Sequence, residues 1–527
     1  MTAPSGVWRR LRAVGGPWVL AVVLVGALLR VAPMVAQLPF THNPDESRSI
    51  IAVAAMVEQR TTDTTVYSYP ALMFNVEAAA LTLWDATIGD ADTPIEFSSP
   101  GATRSVNTGA IVVMRVVTLL ASCVNILLAA ALARRMSGRT AAALLAAALV
   151  AVNPLDVRLG ATVTPDPFAG AFSTAALLAA VFLAERLSLR RAVVAGAMVG
   201  LAAASKFNAV LVSVGIAVAV AVQRPPLRRA AALLGAAGVA AVVAFALTSP
   251  QTIIDIDTYW FWFRREQGHY RNGHPGYEGG AAWYYLATIG RMVGPALLAV
   301  PVVIALDRRF RLRTAPVTIA AVAYIGVLAT YVTRFDRNML VLSGGLAALA
   351  AVAVVVGVAH IAADSRRAVA VASGLAFLLP AALTVRTLVR VEEDPWTAAR
   401  NYILEVVPPG AQIVVESYGP WLPPEPLVVR GVLRAIDPTP RWYRDEQVGY
   451  LVTVDEVRNR YADADRYPVE HSAYVDLLAG TCVMKTFSSD EFDVEVRRVL
   501  PLDSSLSGNR PSDSLAAALG CGNIAES

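Results

Sequence analysis

The sequence predicts an α-helical polytopic membrane protein with about 11 transmembrane helices, followed by a small C-terminal α/β domain. Three observations carry this. Of the 527 residues, 56% are hydrophobic and only 16% charged, against about 45–50% and about 25% in soluble globular proteins. Apolar runs of membrane-crossing length recur along residues 1–390. The arginines stand in short clusters between those runs, as in loops held on the cytoplasmic side of a membrane. The same composition excludes a disordered chain. The net charge is +4, yet no basic helix or aromatic-basic strip suggests a nucleic-acid partner.

Arg9, Arg10 and Arg12 precede an apolar stretch from Pro17 to Leu38. It is too long for a signal peptide and no small-residue cleavage site follows, so a retained first helix with a cytoplasmic N-terminus is expected. A polar segment, residues 40–108, comes next. Apolar runs then occupy 109–133, 140–155, 167–184, 192–205, 207–222, 230–248, 284–306, 315–332, 339–361 and 368–386. Several are shorter than the roughly 20 residues that span a hydrocarbon core, and the division near Lys206 leaves the count open by about one or two.

Charge orients the helices. With the first helix running outward, the inner loops carry Arg134, Arg135 and Arg139; Arg186, Arg190 and Arg191; Arg224, Arg228 and Arg229; Arg308, Arg309, Arg311 and Arg313; and Arg366 and Arg367. The first outer segment is instead acidic, with Asp45, Glu46, Glu58, Asp63, Glu77, Asp85, Asp90, Asp92 and Glu96. Basic residues retained inside fix this orientation. An odd helix count then places residues 391–527 outside the cytoplasm. There, residues 395–406 read as a helix stopped by Pro408, Pro409 and Gly410, and residues 411–416 and 492–500 read as strands. Cys482 and Cys521 lie in this region, where a disulfide is one of two open outcomes, and Cys123 sits in an apolar run. No CxxC pair or His-rich cluster suggests a metal.

Five segments carry residues suited to chemistry. Asp45 and Glu46, in Asn43–Pro44–Asp45–Glu46, follow the first helix. A partly desolvated carboxylate there suits a general base with an orienting partner; Pro-Asp-Glu equally suits the first turn of a helix. A long first outer loop opening on this Asp-Glu pair resembles the GT-C glycosyltransferases, and more narrowly their protein O-mannosyltransferase and aminoarabinose–lipid A transferase branch. The resemblance covers about 400 residues in topology and few in motif. It implies a GT-C-like catalytic domain over residues 1–390, with residues 391–527 helping to hold or select the acceptor.

The other four segments gain meaning beside that resemblance. Asp166, between prolines, matches an acidic residue that supports the family's active site, or simply opens a helix. Lys206 is the one lysine in the first 484 residues. A cation in an apolar stretch is expensive, and the family places a lysine here after Gly-Leu-Ala, as in Gly200–Leu201–Ala202. The alternative is a snorkelling interfacial side chain. His269, His274, Tyr277 and Glu278 fall in a loop whose residues 273–279 resemble a donor-side loop of related enzymes. Just upstream, Tyr259 to Phe263 read as a helix lying at the lipid boundary. Arg337 matches an arginine that the family carries before a late helix, and its alternative is a local Arg334–Asp336 ion pair.

The resemblance implies inverting transfer of a sugar from a polyprenyl-phosphate donor to an extracytoplasmic hydroxyl. Asp45 serves as base, Glu46 and Asp166 assist, Lys206 and Arg337 hold the phosphate, and His269, His274, Tyr277 and Glu278 bind substrate. The donor is already activated, so no cofactor or metal is required. No Walker loop is present, and Asp255–Ile256–Asp257 fits a DxD motif in letters only. The expected partners are the lipid-linked sugar, membrane lipid, and a glycan, glycolipid or protein acceptor. Mannose is the default sugar, and a pentose such as an arabinose derivative is open. The competing reading is a transporter or flippase, which would be expected to show repeated halves; the sequence shows none. Arginine over lysine and abundant alanine fit the inner membrane of a high-GC bacterium.

Overall fold

The computed structural model describes residues 16–36, 38–41, 43–88, 95–99, 102–105, 108–362, 365–390, 394–489 and 492–500. The N-terminal arginines and Cys521 lie outside these. Every apolar run in the described residues is helical, but the runs do not all have spanning length. Among the described residues eight helices are long and apolar enough to cross a membrane: Pro17–Ala36, Thr108–Ser137, Asp166–Glu185, Leu227–Thr248, Ala281–Ala305, Arg308–Leu328, Asp336–Ile361 and Arg366–Val389. Thr140–Ala151 and Phe207–Val222 are apolar but shorter, and Leu189–Ser205 has 17 residues. The expectation of about 11 full spans thus resolves into long helices plus short ones. Broken helices are tolerated at membrane depth where neighbouring protein satisfies the freed backbone groups. Asn153 shows how: its side chain accepts from the Leu155 N–H and caps a short helix, Pro154–Leu159, just past Thr140–Ala151.

The helices sort by burial. The span Asp336–Ile361 is 94% buried, whereas Leu227–Thr248 is 11% and Arg366–Val389 17%. The first is the axis of the bundle and the others are its lipid-facing periphery. Small residues (Gly344, Gly345 and repeated Ala and Val) allow the axis its close neighbours. A Cβ at Gly344 would stand 2.3 Å from the Thr174 hydroxyl and 2.6 Å from Asn125 Oδ1. Small residues serve helix packing in this way where lipid supplies no hydrophobic drive.

Charges inside the bundle are paired. Arg30 is fully buried and donates to Ser122 Oγ at 2.8 Å and to the carbonyls of Gly26, Val150 and Ala151, with Asp156 at 3.4 Å. Ser122 donates to Asp156 at 2.6 Å. Glu46, 1% exposed, takes a bidentate pair from Arg115 at 2.8 and 2.9 Å and also accepts the Val163 N–H at 2.9 Å. Arg115 donates in turn to the Met34 carbonyl. These bonds anchor the helix Pro44–Gln59 between the ends of Pro17–Ala36 and Thr108–Ser137.

The polar first loop is ordered by the same anchoring. It forms the helices Pro44–Gln59 and Leu72–Thr87 and a three-stranded antiparallel sheet of β1 (Phe40–Thr41), β2 (Ile95–Ser99) and β3 (Ala102–Ser105), in the order β1-β3-β2. Phe40 and Ala102 cluster with Trp421, and the Arg400 guanidinium lies over the Phe40 ring at 4.6 Å. The loop is therefore the floor on which the C-terminal region stands.

That region is a five-stranded sheet of β4 (Gln412–Glu416), β5 (Val428–Val432), β6 (Tyr450–Val454), β7 (Thr481–Ser488) and β8 (Asp493–Val499), in the order β5-β4-β6-β8-β7. β4 pairs in parallel with β5 and β6, and β8 runs antiparallel between β6 and β7. Alternate residues bury on opposite faces. Ile413, Val415 and Val452 pack with Ala399 and Ile403 of the helix Pro395–Val406, while Val414 and Leu451 pack with Tyr443 and Tyr474. The expected helix at 395–406 and the strands near 411–416 and 492–500 are all present. Cys482, on β7, is disulfide-bonded.

Breaking a buried pair leaves a lone charge and costs roughly 3–5 kcal/mol. Glu46→Ala should therefore lower the thermal unfolding midpoint of the detergent-solubilised protein strongly. The double variant Glu46→Gln with Arg115→Met should recover most of that loss. Equal midpoints for Glu46→Ala and wild type would rule out the anchoring role.

Candidate active site

The candidate residues meet at the end of the bundle that carries the C-terminal sheet, and each is placed by a helix terminus or a break. Asp45 stands in the first turn of Pro44–Gln59, where Asn43 accepts the Asp45 N–H at 3.0 Å. The cap fixes the backbone while the carboxylate points into the site. Asp166 opens Asp166–Glu185 between two prolines. Lys206 occupies a break. It is extended (φ −154°, ψ 125°), caps Leu189–Ser205, and precedes the 3₁₀ turn Phe207–Ser213. Arg337 lies in another 3₁₀ turn, Asp336–Leu342, that leads into the axial helix. Helix and capping reading of Asp45 and Asp166 are thus compatible with a functional one, since the cap immobilises the side chain.

Two ion pairs bridge these four residues. Lys206 Nζ lies 2.6 Å from Asp166 Oδ1, with 7% and 2% of the two side chains exposed. Arg337 donates to Asp45 Oδ2. The pairs also act on each other electrostatically: Asp45 feels Lys206, and Arg337 feels Asp166. Burial opposes the Asp45 charge, but the Arg337 guanidinium, with Arg48 and Lys206, holds its carboxyl below the usual carboxylate range. An acidic and a basic group thus stand beside each other, and a second such pair lies behind them. Carboxylates and cations placed in this way can accept a proton at one point and balance an anion at another.

Glu46 is not part of it. Adjacent helical residues project about 100° apart, so with Asp45 facing the site Glu46 turns into the bundle to bind Arg115. The expectation that Glu46 orients the base is met only through the backbone it anchors.

The loop 273–280 divides in a similar way. His269 and His274 stack at 4.7 Å, His274 lies 5.8 Å from the Phe335 ring, and Tyr277 lies 5.0 Å from it. Phe335 in turn carries the Arg337 guanidinium over its face at 5.0 Å. Burial, then His269, Arg460 and Arg337, push the His274 imidazole down to about 4, so it is neutral at pH 7. Tyr277 donates to Glu456 of the C-terminal region. Glu278 also faces that region, accepting from Tyr467 at 2.6 Å and pairing with Arg466 at 3.1 Å. It bonds the two parts of the chain together and does not face the four-charge cluster. Gly276 (φ +83°) is needed for this approach, because a Cβ there would stand 2.8 Å from Arg460 Cγ.

Other residues at the site carried no sequence signal. Tyr69 and Tyr270 lie within electrostatic reach of Arg337. Tyr270 donates to Asn338 Oδ1 at 3.4 Å. The Arg334–Asp336 pair considered above does not form: Asp336 pairs with Arg158 at 2.9 Å, and Arg334 lies over the Tyr284 ring at 4.9 Å. Arg158 is half-exposed on the short helix after Asn153. Its cue, an arginine in an outer segment, was present in the sequence but had no motif around it. Among the described residues no group of three or more His, Cys, Asp or Glu stands ready to ligate a metal.

Residues 105–254 match the family described as dolichyl-phosphate-mannose-protein mannosyltransferase. Among solved structures, ArnT of Cupriavidus metallidurans, bound to undecaprenyl phosphate, aligns with a TM-score of 0.52 at 15% identity, over 92% of this chain and 99% of that one. The Archaeoglobus fulgidus oligosaccharyltransferase aligns at 0.49 and 14% identity, over 90% of this chain and 72% of its own. The mycobacterial arabinofuranosyltransferase AftD aligns at 0.45 and 15%, over 92% and 40%. No curated protein matches by sequence. The segment matched by the mannosyltransferase family contains Arg115, Asp166 and Lys206, and the fold shared with ArnT extends over nearly the whole chain. The chain thus has the fold of ArnT, with helices long and apolar enough to cross a membrane, and over residues 105–254 it is similar to the mannosyltransferase family.

Proposed function

We propose that the protein transfers a sugar from a polyprenyl-phosphate donor to an acceptor hydroxyl, with inversion, on the outer face of a bacterial inner membrane. The observation that carries this reading is the pairing of Asp45 with Arg337 beside Asp166 with Lys206, at the end of the bundle that faces the C-terminal sheet. The basic inner loops and the acidic first outer segment support a cytoplasmic N-terminus and an extracytoplasmic active end.

In this reaction the acceptor O–H gives its proton to the Asp45 carboxylate. The oxygen attacks the anomeric carbon from the face opposite the phosphate, and the bond from that carbon to the phosphate oxygen breaks. The electron pair leaves with the polyprenyl phosphate, whose charge Lys206 and Arg337 balance. Fixed charges aimed at developing charge are the largest contribution in many enzymes. The ion pairing gives the base a trigger. Without donor, Arg337 keeps Asp45 a weak base. A bound phosphate shares that guanidinium, and the carboxylate gains basicity in the complex that needs it. Asp166 keeps Lys206 charged and aimed, so it positions the phosphate group without touching the reacting atoms. His269, His274, Tyr277 and Phe335 form the aromatic wall beside Arg337 against which the sugar rests. Mannose is the first sugar to test, followed by an arabinose-type pentose.

Purified protein in nanodiscs, given radiolabelled polyprenyl-phosphate-mannose or the pentose donor, should move label to an acceptor. Asp45→Asn should reduce the rate by roughly 10²–10⁴-fold, the usual contribution of a positioned base, with donor binding retained. Lys206→Met should instead weaken donor binding. Asp45→Asn turning over at the wild-type rate would remove the base from the mechanism.

The His274 wall has a pH signature. Its folded value of about 4 lies below the about 6.5 of a free imidazole. Between these values the unfolded chain binds more protons, so stability falls as pH drops from about 6.5 towards about 4. Thermal unfolding across that window should show this slope, and His274→Phe should flatten it. An unchanged slope in the variant would remove His274 from the buried stack.

A further inference from the structure

A cleft of about 490 Å³ opens between Pro44, the residue before Asp45, and the C-terminal sheet. Its walls on the sheet side come from three consecutive places in the topology. Tyr418 follows β4, Arg434 and Asp437 follow β5, and Arg460 and Tyr461 follow β6. These are the carboxyl ends of the three parallel strands, in the spatial order β5-β4-β6. From β4 the chain goes first to one side and then returns to the other. In open α/β sheets the ligand crevice lies outside the strand carboxyl ends at such a reversal.

The crevice is built rigidly. Glu416, fully buried at the end of β4, accepts the Ala435 N–H at 2.8 Å, the Val454 N–H at 3.0 Å and the Tyr474 hydroxyl at 2.6 Å. One carboxylate thereby ties together the loops leaving all three strands. Tyr418 holds a left-handed backbone conformation (φ +63°), which is costly for a bulky side chain and concentrates at functional sites. Arg460 lies over its ring at 5.0 Å, and the Arg460 Nε is buried with no hydrogen-bond partner among the described residues.

The chemistry of the walls selects the ligand. Arg434 is bound to Asp437 at 2.8 Å and approaches Glu470 at 3.7 Å, and Arg460 pairs with Glu456 at 3.2 Å. Each guanidinium stands beside a carboxylate, so the walls both donate and accept hydrogen bonds. Tyr418 and Tyr461 add aromatic side chains beside these groups, with Arg460 and Arg434 over their rings at 5.0 and 5.5 Å. A sugar ring presents apolar C–H faces and hydroxyls that both donate and accept, and it fits that combination. We propose that this crevice binds a neutral oligosaccharide and presents one of its hydroxyls to Asp45, making a glycan the acceptor. The crevice's place in the reaction rests on the transfer proposed above, but its ligand does not.

The test therefore separates binding from turnover. Full-length protein in nanodiscs is titrated with short neutral oligosaccharides of mannose, glucose or arabinofuranose, with binding read by ligand-observed NMR. At least one series should bind. Tyr418→Ala and Asp437→Asn should weaken it tenfold or more, while Tyr418→Phe should retain it, with thermal unfolding confirming folded protein. Asp437→Asn reads the site if Tyr418→Ala does not fold. In the transfer assay Asp437→Asn should raise the acceptor KM and leave kcat within about twofold. No binding of any oligosaccharide by the wild type, or binding indifferent to both variants, overturns the proposal. So does transfer to a serine- or threonine-bearing peptide or to a glycolipid with no glycan bound in the crevice, an outcome that leaves the transferase reading intact. Oligosaccharide bound through Tyr418 in a protein that consumes no donor would uphold the crevice and overturn the transfer.

Discussion

A charge placed inside an apolar bundle must be compensated on the spot, and this constraint organises the molecule. Asp45 with Arg337 and Asp166 with Lys206 are held at the ends and breaks of four different helical segments. Neither pair forms unless the two segments that carry it pack together. The same constraint governs Arg30 with Asp156 and Glu46 with Arg115, deeper among the helices. The structural pairs are locked by further backbone hydrogen bonds. The pair at the site is different: Asp45 and Arg337 keep part of their side chains open, at 37% and 26%. Asp166 and Lys206, at 2% and 7%, are closed by comparison.

The C-terminal sheet belongs to the same machinery through two seams. One is the floor formed by Phe40, Ala102 and Trp421. The other is the loop 273–280, which carries Tyr277 against Phe335 on one side and, on the other, donates to Glu456 and accepts from Tyr467. Arg337 and Arg460 are therefore separated by the rings of Phe335 and Tyr277.

Much of this was legible in the sequence because membranes simplify the physics. Apolar runs and arginine clusters are long-range signals, and every run within the described residues became a helix. Asp45, Asp166, Lys206 and Arg337 were legible for a related reason: a charge is conspicuous against apolar neighbours. What the sequence did not reveal were directions and partners. In Asp45–Glu46 both residues suit a base, and only the rotation of the helix decides that Glu46 faces Arg115. Arg158 and Asp336, 178 residues apart, pair without any pattern to announce them. Several of the expected helices are shorter than a span, because a buried helix need not have spanning length. The order of the C-terminal strands depends on crossovers that composition does not encode.

The seam at 273–280 bears on how such a protein can change over evolutionary time. A domain joined by a plain tether can be exchanged for another with little consequence for its host. Here the membrane part lends Tyr277 and Glu278 to the sheet and receives Glu456, Arg466 and Tyr467 in return. A foreign domain grafted after residue 390 would strand these groups without partners beside the aromatic wall. Diversification of specificity is thus channelled into the loops at the strand ends, where residues can vary while the frame that carries them is kept.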